Sequence, residues 1–273
     1  MKNLLLLVGL SCFVFGISSA AKVDTVRIYS ASMRKSIKTV VIAPFTQNKQ
    51  KRFPVIYLLH GYGDNYANWI QEVPRLVNFS DSLGIIFVCP DGGTSSWYWD
   101  SPVDSSYLYE TFVAHEVVHW IDSAYKTINN RNGRAISGLS MGGHGGLFLG
   151  IRHQDNFGAC GSMSGGVDIR PFPDNWEMEK RIGLLSKNPK LWDSLTVMGQ
   201  LHLLRPNSIS MIIDCGTEDF FYNVNQKLHE ELLFRNIPHD FISRPGNHEW
   251  PYWHNAIIYQ VIFFVEYFRN SGR

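Results

Sequence analysis

An excess of charge of either sign is missing: 25 Lys and Arg stand against 24 Asp and Glu, a formal net charge of +1 over 273 residues. Without a basic surplus or a block of like charges, the electrostatic footprint of a nucleic-acid or anionic-membrane binder is absent. A small, mostly neutral partner is expected instead. Cysteine is scarce, with four in the chain. Cys89, Cys160 and Cys215 sit in or beside strand-like segments, where a free thiol acts as a small buried hydrophobe. Neither a disulfide framework nor a cysteine metal site is therefore expected. No internal repeat, low-complexity tract or linker divides the chain, so one domain is expected.

Long apolar runs are missing too, apart from Leu4 to Ile17, which is too short to span a bilayer as a helix. That run follows Met1 and Lys2 and precedes Ser18-Ser-Ala-Ala21. Charged start, apolar centre and small-residue site together read as an export signal over residues 1–20, cleaved after Ala20 or Ala21. A secreted or periplasmic protein follows from this reading, with no membrane contact after cleavage. Cys12 offers a lipoprotein anchor as the alternative. Against it, Gly9 stands where a lipobox carries Leu, and Cys12 is followed by more apolar residues.

The composition that remains, 45% apolar and 14% aromatic, suffices for a large core. Residues 23–30 and 36–44 alternate and predict an antiparallel pair at one sheet edge. Pro54-Val-Ile-Tyr-Leu-Leu-His60 is continuously apolar, the mark of a buried central strand. Further short strands are expected at 85–89, 134–137, 157–163, 208–215 and 239–243, and apolar spacing near 3.6 predicts helices over 107–125, 141–152, 221–236 and 250–268. Strands alternating with helices imply an α/β fold with a doubly wound, mostly parallel sheet. Residues 165–206 break the rhythm and read as a helical insertion between two strands in residues 21–273.

Gly138-Leu-Ser140-Met-Gly142 matches G-x-S-x-G after one strand and before a Gly-rich helix. A nucleophilic serine on such a tight turn needs small neighbours, and the helix N-terminus behind it favours developing negative charge. The hydroxyl needs a base, and the base an orienting carboxylate, in the order Ser, acid, His. Asp219 follows one strand in Gly216-Thr-Glu-Asp219, and His248 follows the next in Arg244-Pro-Gly-Asn-His248. Both lie where an open α/β sheet gathers its functional loops. Glu218 and Asp214 are weaker candidates for the acid, as His144 and His254 are for the base. His60 precedes Gly61-Tyr62-Gly63 at the end of the central strand, so the backbone N–H groups of Tyr62 and Met141 are the expected oxyanion donors.

His60-Gly-Tyr-Gly, Asp91-Gly-Gly with Trp97-Tyr-Trp-Asp100, Gly138-Leu-Ser-Met-Gly-Gly, Cys215-Gly-Thr-Glu-Asp219 and Gly246-Asn-His248-Glu-Trp together resemble the esterase D group of α/β-hydrolases. That group includes feruloyl and acetyl carbohydrate esterases, tributyrin esterases, formylglutathione hydrolases and mycolyltransferases. The resemblance implies a serine esterase with Ser140, Asp219 and His248 as its triad, Tyr62 and Met141 as its oxyanion hole, and no cofactor. Export favours a small-molecule or polysaccharide ester of feruloyl or acetyl type. Acyl transfer of the mycolyltransferase kind and glutathione thioester hydrolysis are the alternatives within the group. Trp97, Trp99 and Trp250 are candidates to line the cleft, where they would suit a sugar face or an aromatic acyl group, or else they anchor the core.

Outside that group stand two rivals. His115-Glu-Val-Val-His119 is a full H-E-x-x-H on an expected helix, the pattern of a zinc peptidase, but no extension after Trp120 supplies a third ligand, so no metal is expected. A catalytically silent carbohydrate-binding relative is the other.

Overall fold

The computed structural model describes residues 21–48 and 50–271; the expected export signal and Cys12 lie outside them. The apolar run before His60 forms β3 (Val55–Leu59), whose five residues are all shut from solvent. Its alternate side chains enter two different apolar layers, Val55, Tyr57 and Leu59 on one face and Ile56 and Leu58 on the other. Burial on both faces is why this strand is continuously apolar rather than alternating.

Around it the described residues build one eight-stranded sheet in the order β1-β2-β4-β3-β5-β6-β7-β8. β1 (Lys22–Ser30) and β2 (Lys35–Ala43) form the antiparallel edge, and β2 pairs antiparallel with β4 (Ile86–Pro90). From β4 onward, β3, β5 (Arg134–Gly138), β6 (Ala159–Met163), β7 (Ser210–Gly216) and β8 (Asp240–Arg244) run parallel. This is a single-domain α/β fold. After β3 the chain first adds β4 on one side and then returns to add β5 on the other, so the winding reverses between β3 and β5. Loops leaving those two strands diverge and open the crevice where such sheets bind their ligands.

Helices cover both faces. Met141–Arg152 follows β5 with the bounds that its spacing predicts, and Tyr222–Phe234 and Trp250–Ser271 also match their expected helices within a few residues. The helix expected over 107–125 is broken in character: Tyr109–Thr111 leads into a π-helical stretch, Phe112–Val117, and then Val118–Ala124. Asn68–Glu72 and Leu76–Leu83 are helices that the spacing analysis does not single out, each being too short to show a full apolar period. The segment 165–206 lies between β6 and β7, helical in short pieces (Glu179–Ile182, Pro189–Ser194, Val197–Gln200) joined by turns. Cys89, Cys160 and Cys215 are free and buried, and burial raises all three thiol pKa values.

Candidate active site

Ser140 sits between β5 and the helix Met141–Arg152 with φ 54° and ψ −118°, a backbone conformation costly for any residue with a Cβ. Close packing imposes it. A Cβ on Gly138 would lie 2.5 Å from the Leu59 carbonyl oxygen, and one on Gly142 only 2.3 Å from the same atom. The two glycines of the motif thus let the turn press against the end of β3, while the Ser140 N–H donates to the Met163 carbonyl at 2.9 Å and ties the turn to β6.

His248 and Asp219 reach this serine from the loops after β8 and β7. His248 Nε2 is 2.9 Å from Ser140 Oγ, and His248 Nδ1 is 2.8 Å from Asp219 Oδ2. Because the carboxylate can only accept, Nδ1 carries the proton and Nε2 is left to accept from the hydroxyl. The Asp219 side chain is fully buried, and its Oδ1 accepts the Phe221 N–H at 2.8 Å, which fixes the carboxylate's orientation. Glu218, by contrast, is exposed. Asp214 is buried in β7, where it accepts from Arg244 at 2.7 Å and from the Tyr252 hydroxyl on the helix Trp250–Ser271. Burial outweighs those two partners and raises the pKa of its carboxyl.

The loop after β3 lies against the nucleophile: a Cβ on Gly61 would come within 3.5 Å of Ser140 Cβ. His60 shapes this loop. Its Nε2 accepts the Gly92 N–H at 2.7 Å, so its Nδ1 carries a proton and donates to the Gly61 carbonyl at 2.8 Å. Among the described residues the neighbouring Gly63 and Gly142 N–H groups donate to Thr94 and Leu139 carbonyls, whereas those of Tyr62 and Met141 donate to no protein acceptor. They are available to a ligand oxygen beside Ser140.

The aromatic residues divide differently from the sequence reading. Trp97 and Trp99 are buried and stacked on each other, with His144 edge-on to both. Trp99 Nε1 donates to His144 Nε2 at 2.9 Å, and burial lowers the His144 pKa to about 3. These two tryptophans anchor the core and offer no face to a substrate, which corrects their assignment to the cleft. Trp250 is half-buried, edge-on to Trp69 and Trp253 at the start of its helix, and Trp253 lies edge-on to His248 at 5.0 Å. Two residues the sequence reading passes over stand at the site itself. The Phe220 ring, 50% exposed, lies 4.2 Å from the His248 ring, and Trp176 from the insertion stacks on Phe220 at 5.8 Å. Trp176 and Glu177 both hold positive φ, 51° and 56°, so the turn that presents Trp176 is strained. The adjacent pair Phe220-Phe221, placed directly after a candidate acid in a polar loop, is the one local signal that could have drawn attention to it.

His115, in the π-helical stretch, and His119, in the segment after it, are both exposed. His115 packs edge-on to His153 at 4.8 Å, and Glu116 accepts the Ser32 N–H at 2.9 Å. Among the described residues no group of three His, Cys, Asp or Glu side chains is placed to hold a metal ion. His254 lies 3.7 Å from Glu72, away from Ser140.

The profile of the Esterase family matches residues 30–264, most of the chain. The chain belongs to the Esterase family. It is 25% identical over 256 residues to an acetyl esterase of Caldicellulosiruptor saccharolyticus, covering 85% of this chain and 94% of that protein. It is 34% identical over 269 residues to the diacylglycerol acyltransferase/mycolyltransferase Ag85B of Mycobacterium leprae, covering 85% and 80%. Among solved structures, a ferulic acid esterase superposes with a TM-score of 0.77 at 29% identity, covering 91% of this chain and 98% of the other. The protein is accordingly a carboxylic ester hydrolase of the α/β-hydrolase superfamily.

Proposed function

We propose that this esterase works by covalent catalysis at Ser140, with His248 as general base and acid and Asp219 as the residue that orients it. The observation that carries the reading is the hydrogen-bonded chain from Ser140 Oγ through His248 to the buried Asp219, set on a strained turn. As Oγ attacks the ester carbonyl, its proton passes to His248 Nε2, and the Tyr62 and Met141 N–H groups hold the oxyanion. Collapse breaks the bond to the alcohol oxygen, which leaves with the proton from His248. Water then repeats the attack on the acyl-enzyme and restores Ser140.

Substrate preference follows from which side of the ester each wall borders. His248 hands its proton to the leaving alcohol, so rings packed on His248 flank the alcohol rather than the acyl group. Phe220 and Trp176 thus form a stacking wall suited to a sugar ring. With the acetyl and ferulic acid esterases among its relatives, we read the substrate as an acylated carbohydrate met outside the cytoplasm after export through residues 1–20. Acyl transfer to a sugar hydroxyl is the second reading, favoured by the name of the M. leprae relative.

The test is release from p-nitrophenyl acetate, p-nitrophenyl butyrate, methyl ferulate and acetylated xylan, by wild type and Ser140→Ala, with and without a sugar acceptor. Turnover that Ser140→Ala abolishes supports the mechanism, and transfer products would favour the second reading. A folded Ser140→Ala variant that keeps its activity removes it.

A further inference from the structure

Near its turn the β1–β2 hairpin buries one face and leaves the other open, although further along β2 the second face is buried too, by Val40 and Ile42. Its register sets Arg27 opposite Lys38 and Tyr29 opposite Ser36. Alternation puts these four on the open face, while Ile28 and Ile37 are buried on the other. Two cations placed directly opposite each other repel and weaken a hairpin, so the pairing calls for a compensating anion. Among the described residues neither Arg27 nor Lys38 forms an ion pair with a carboxylate, although Asp91 lines the same groove. Asp91 accepts the Gly93 N–H at 2.8 Å, and Asp104 pairs with Arg181 at 2.8 Å. Lys38 instead donates to the Tyr66 hydroxyl at 3.1 Å, with its ammonium 5.1 Å from the centre of that ring.

Arg27, Lys35, Lys38, Tyr66 and Tyr109 line an open groove of about 360 Å³, with Asp91 as its one carboxylate. Tyr29, 61% exposed, extends the same face beside Arg27. Lys35 closes one end, half-buried and held by the Ser106 carbonyl at 2.6 Å. The groove adjoins the segments that build the ester site: Tyr66 belongs to the loop that carries Gly61 and Tyr62, and Asp91 precedes Gly92, whose N–H holds His60.

We propose that this groove is a subsite for an anionic saccharide, whose uronate carboxylates meet Arg27 and Lys38 while Tyr29 and Tyr66 stack on its rings. The inference rests on the reading of the substrate as an acylated carbohydrate, and it makes that carbohydrate an acidic polymer. Cations interleaved with aromatic faces suit a sugar acid, whereas the balanced charge of the whole chain gives no general affinity for polyanions.

Affinity electrophoresis and fluorescence titration with polygalacturonate, neutral arabinoxylan and double-stranded DNA test it, alongside p-nitrophenyl acetate hydrolysis. Wild type is expected to bind polygalacturonate at least about tenfold more tightly than arabinoxylan at low salt. An Arg27→Gln/Lys38→Gln double variant should lose roughly fivefold to tenfold of that affinity, the middle of the range for two exposed charge contacts, with p-nitrophenyl acetate turnover unchanged. Removing the like-charge pair should not lower the melting temperature, so loss of binding reads the groove and not the fold. Equal binding of both polysaccharides, an unchanged double variant, or DNA retained as strongly as polygalacturonate would overturn the proposal. Failure of wild type to cleave p-nitrophenyl acetate would instead overturn the esterase mechanism, leaving the binding result legible.

Discussion

Replacing Asp219 by Asn separates orientation from charge at the candidate triad. The carboxylate has two fixed duties: Oδ1 accepts the Phe221 N–H and Oδ2 accepts from His248 Nδ1, each at 2.8 Å. An asparagine has one acceptor for these two donors. If its carbonyl oxygen stays on Phe221, its NH₂ faces Nδ1 and forces the imidazole into the tautomer with a proton on Nε2, which cannot take the serine proton. If it flips, two donors meet in a fully buried space, at a cost of about 1–3 kcal/mol. The competent orientation is then populated roughly one time in thirty. Even there, the imidazolium of the transition state lacks its anion, a further loss of about 1.5–3 kcal/mol for a charge-assisted hydrogen bond. Together these give about 4 kcal/mol, or roughly 10³ in kcat, approaching the ~10⁴ seen when the orienting carboxylate of a Ser-His-Asp hydrolase is neutralised. The assay is kcat and KM for p-nitrophenyl acetate from pH 6 to 9, with thermal melts of each variant. Asp214→Asn should keep most of its turnover and lose stability, since it disturbs the buried contacts with Arg244 and Tyr252. The reasoning is refuted if Asp219→Asn stays within tenfold of wild type, or if Asp214→Asn or Glu218→Gln proves the variant that abolishes turnover.

Three further outcomes are expected. Trp176→Ala should lower kcat/KM for a feruloylated or acetylated sugar about tenfold while methyl ferulate, whose alcohol is too small to reach the wall, changes little; parallel losses on both would place the wall elsewhere. Gly142→Ala should be expressed poorly or melt well below wild type, because its Cβ would lie 2.3 Å from the Leu59 carbonyl oxygen, and normal stability would contradict that packing. His144 is held neutral by burial to about pH 3, below the value near 6.5 of an unfolded histidine. The unfolded chain therefore binds the extra proton first, and stability is lost as pH falls from about 6.5 towards 3, by about 2 kcal/mol at pH 5. Urea unfolding between pH 4.5 and 7 should show a steeper decline for wild type than for His144→Gln, and equal slopes would remove His144 as the cause.

What the sequence discloses and what it hides divide along the range of the forces involved. β3 is legible because burial on both faces leaves a run with no polar position, and the turn at Ser140 because its packing against the end of β3 requires glycine two residues to each side. Ser140, Asp219 and His248, the candidate triad, can be expected to meet since each follows a strand end, and a parallel sheet gathers strand ends at one edge whatever the intervening chain does. Trp97 and Trp99 mislead for a complementary reason. A Trp-Tyr-Trp run in a loop looks like a surface platform, yet its fate depends on whether another segment covers it. The insertion does so: Trp176 packs on Trp97, and the Leu195 carbonyl accepts from Trp99 Nε1. The same short segment that buries those rings presents Trp176 to Phe220. The proposed wall on His248 is thus built from contacts between distant parts of the chain that no local pattern records, while the candidate triad rests on backbone geometry that leaves its mark on neighbouring residues. That asymmetry is why the reaction class can be read from the sequence and the ester cannot, and why the wall on His248 is where specificity should be sought first.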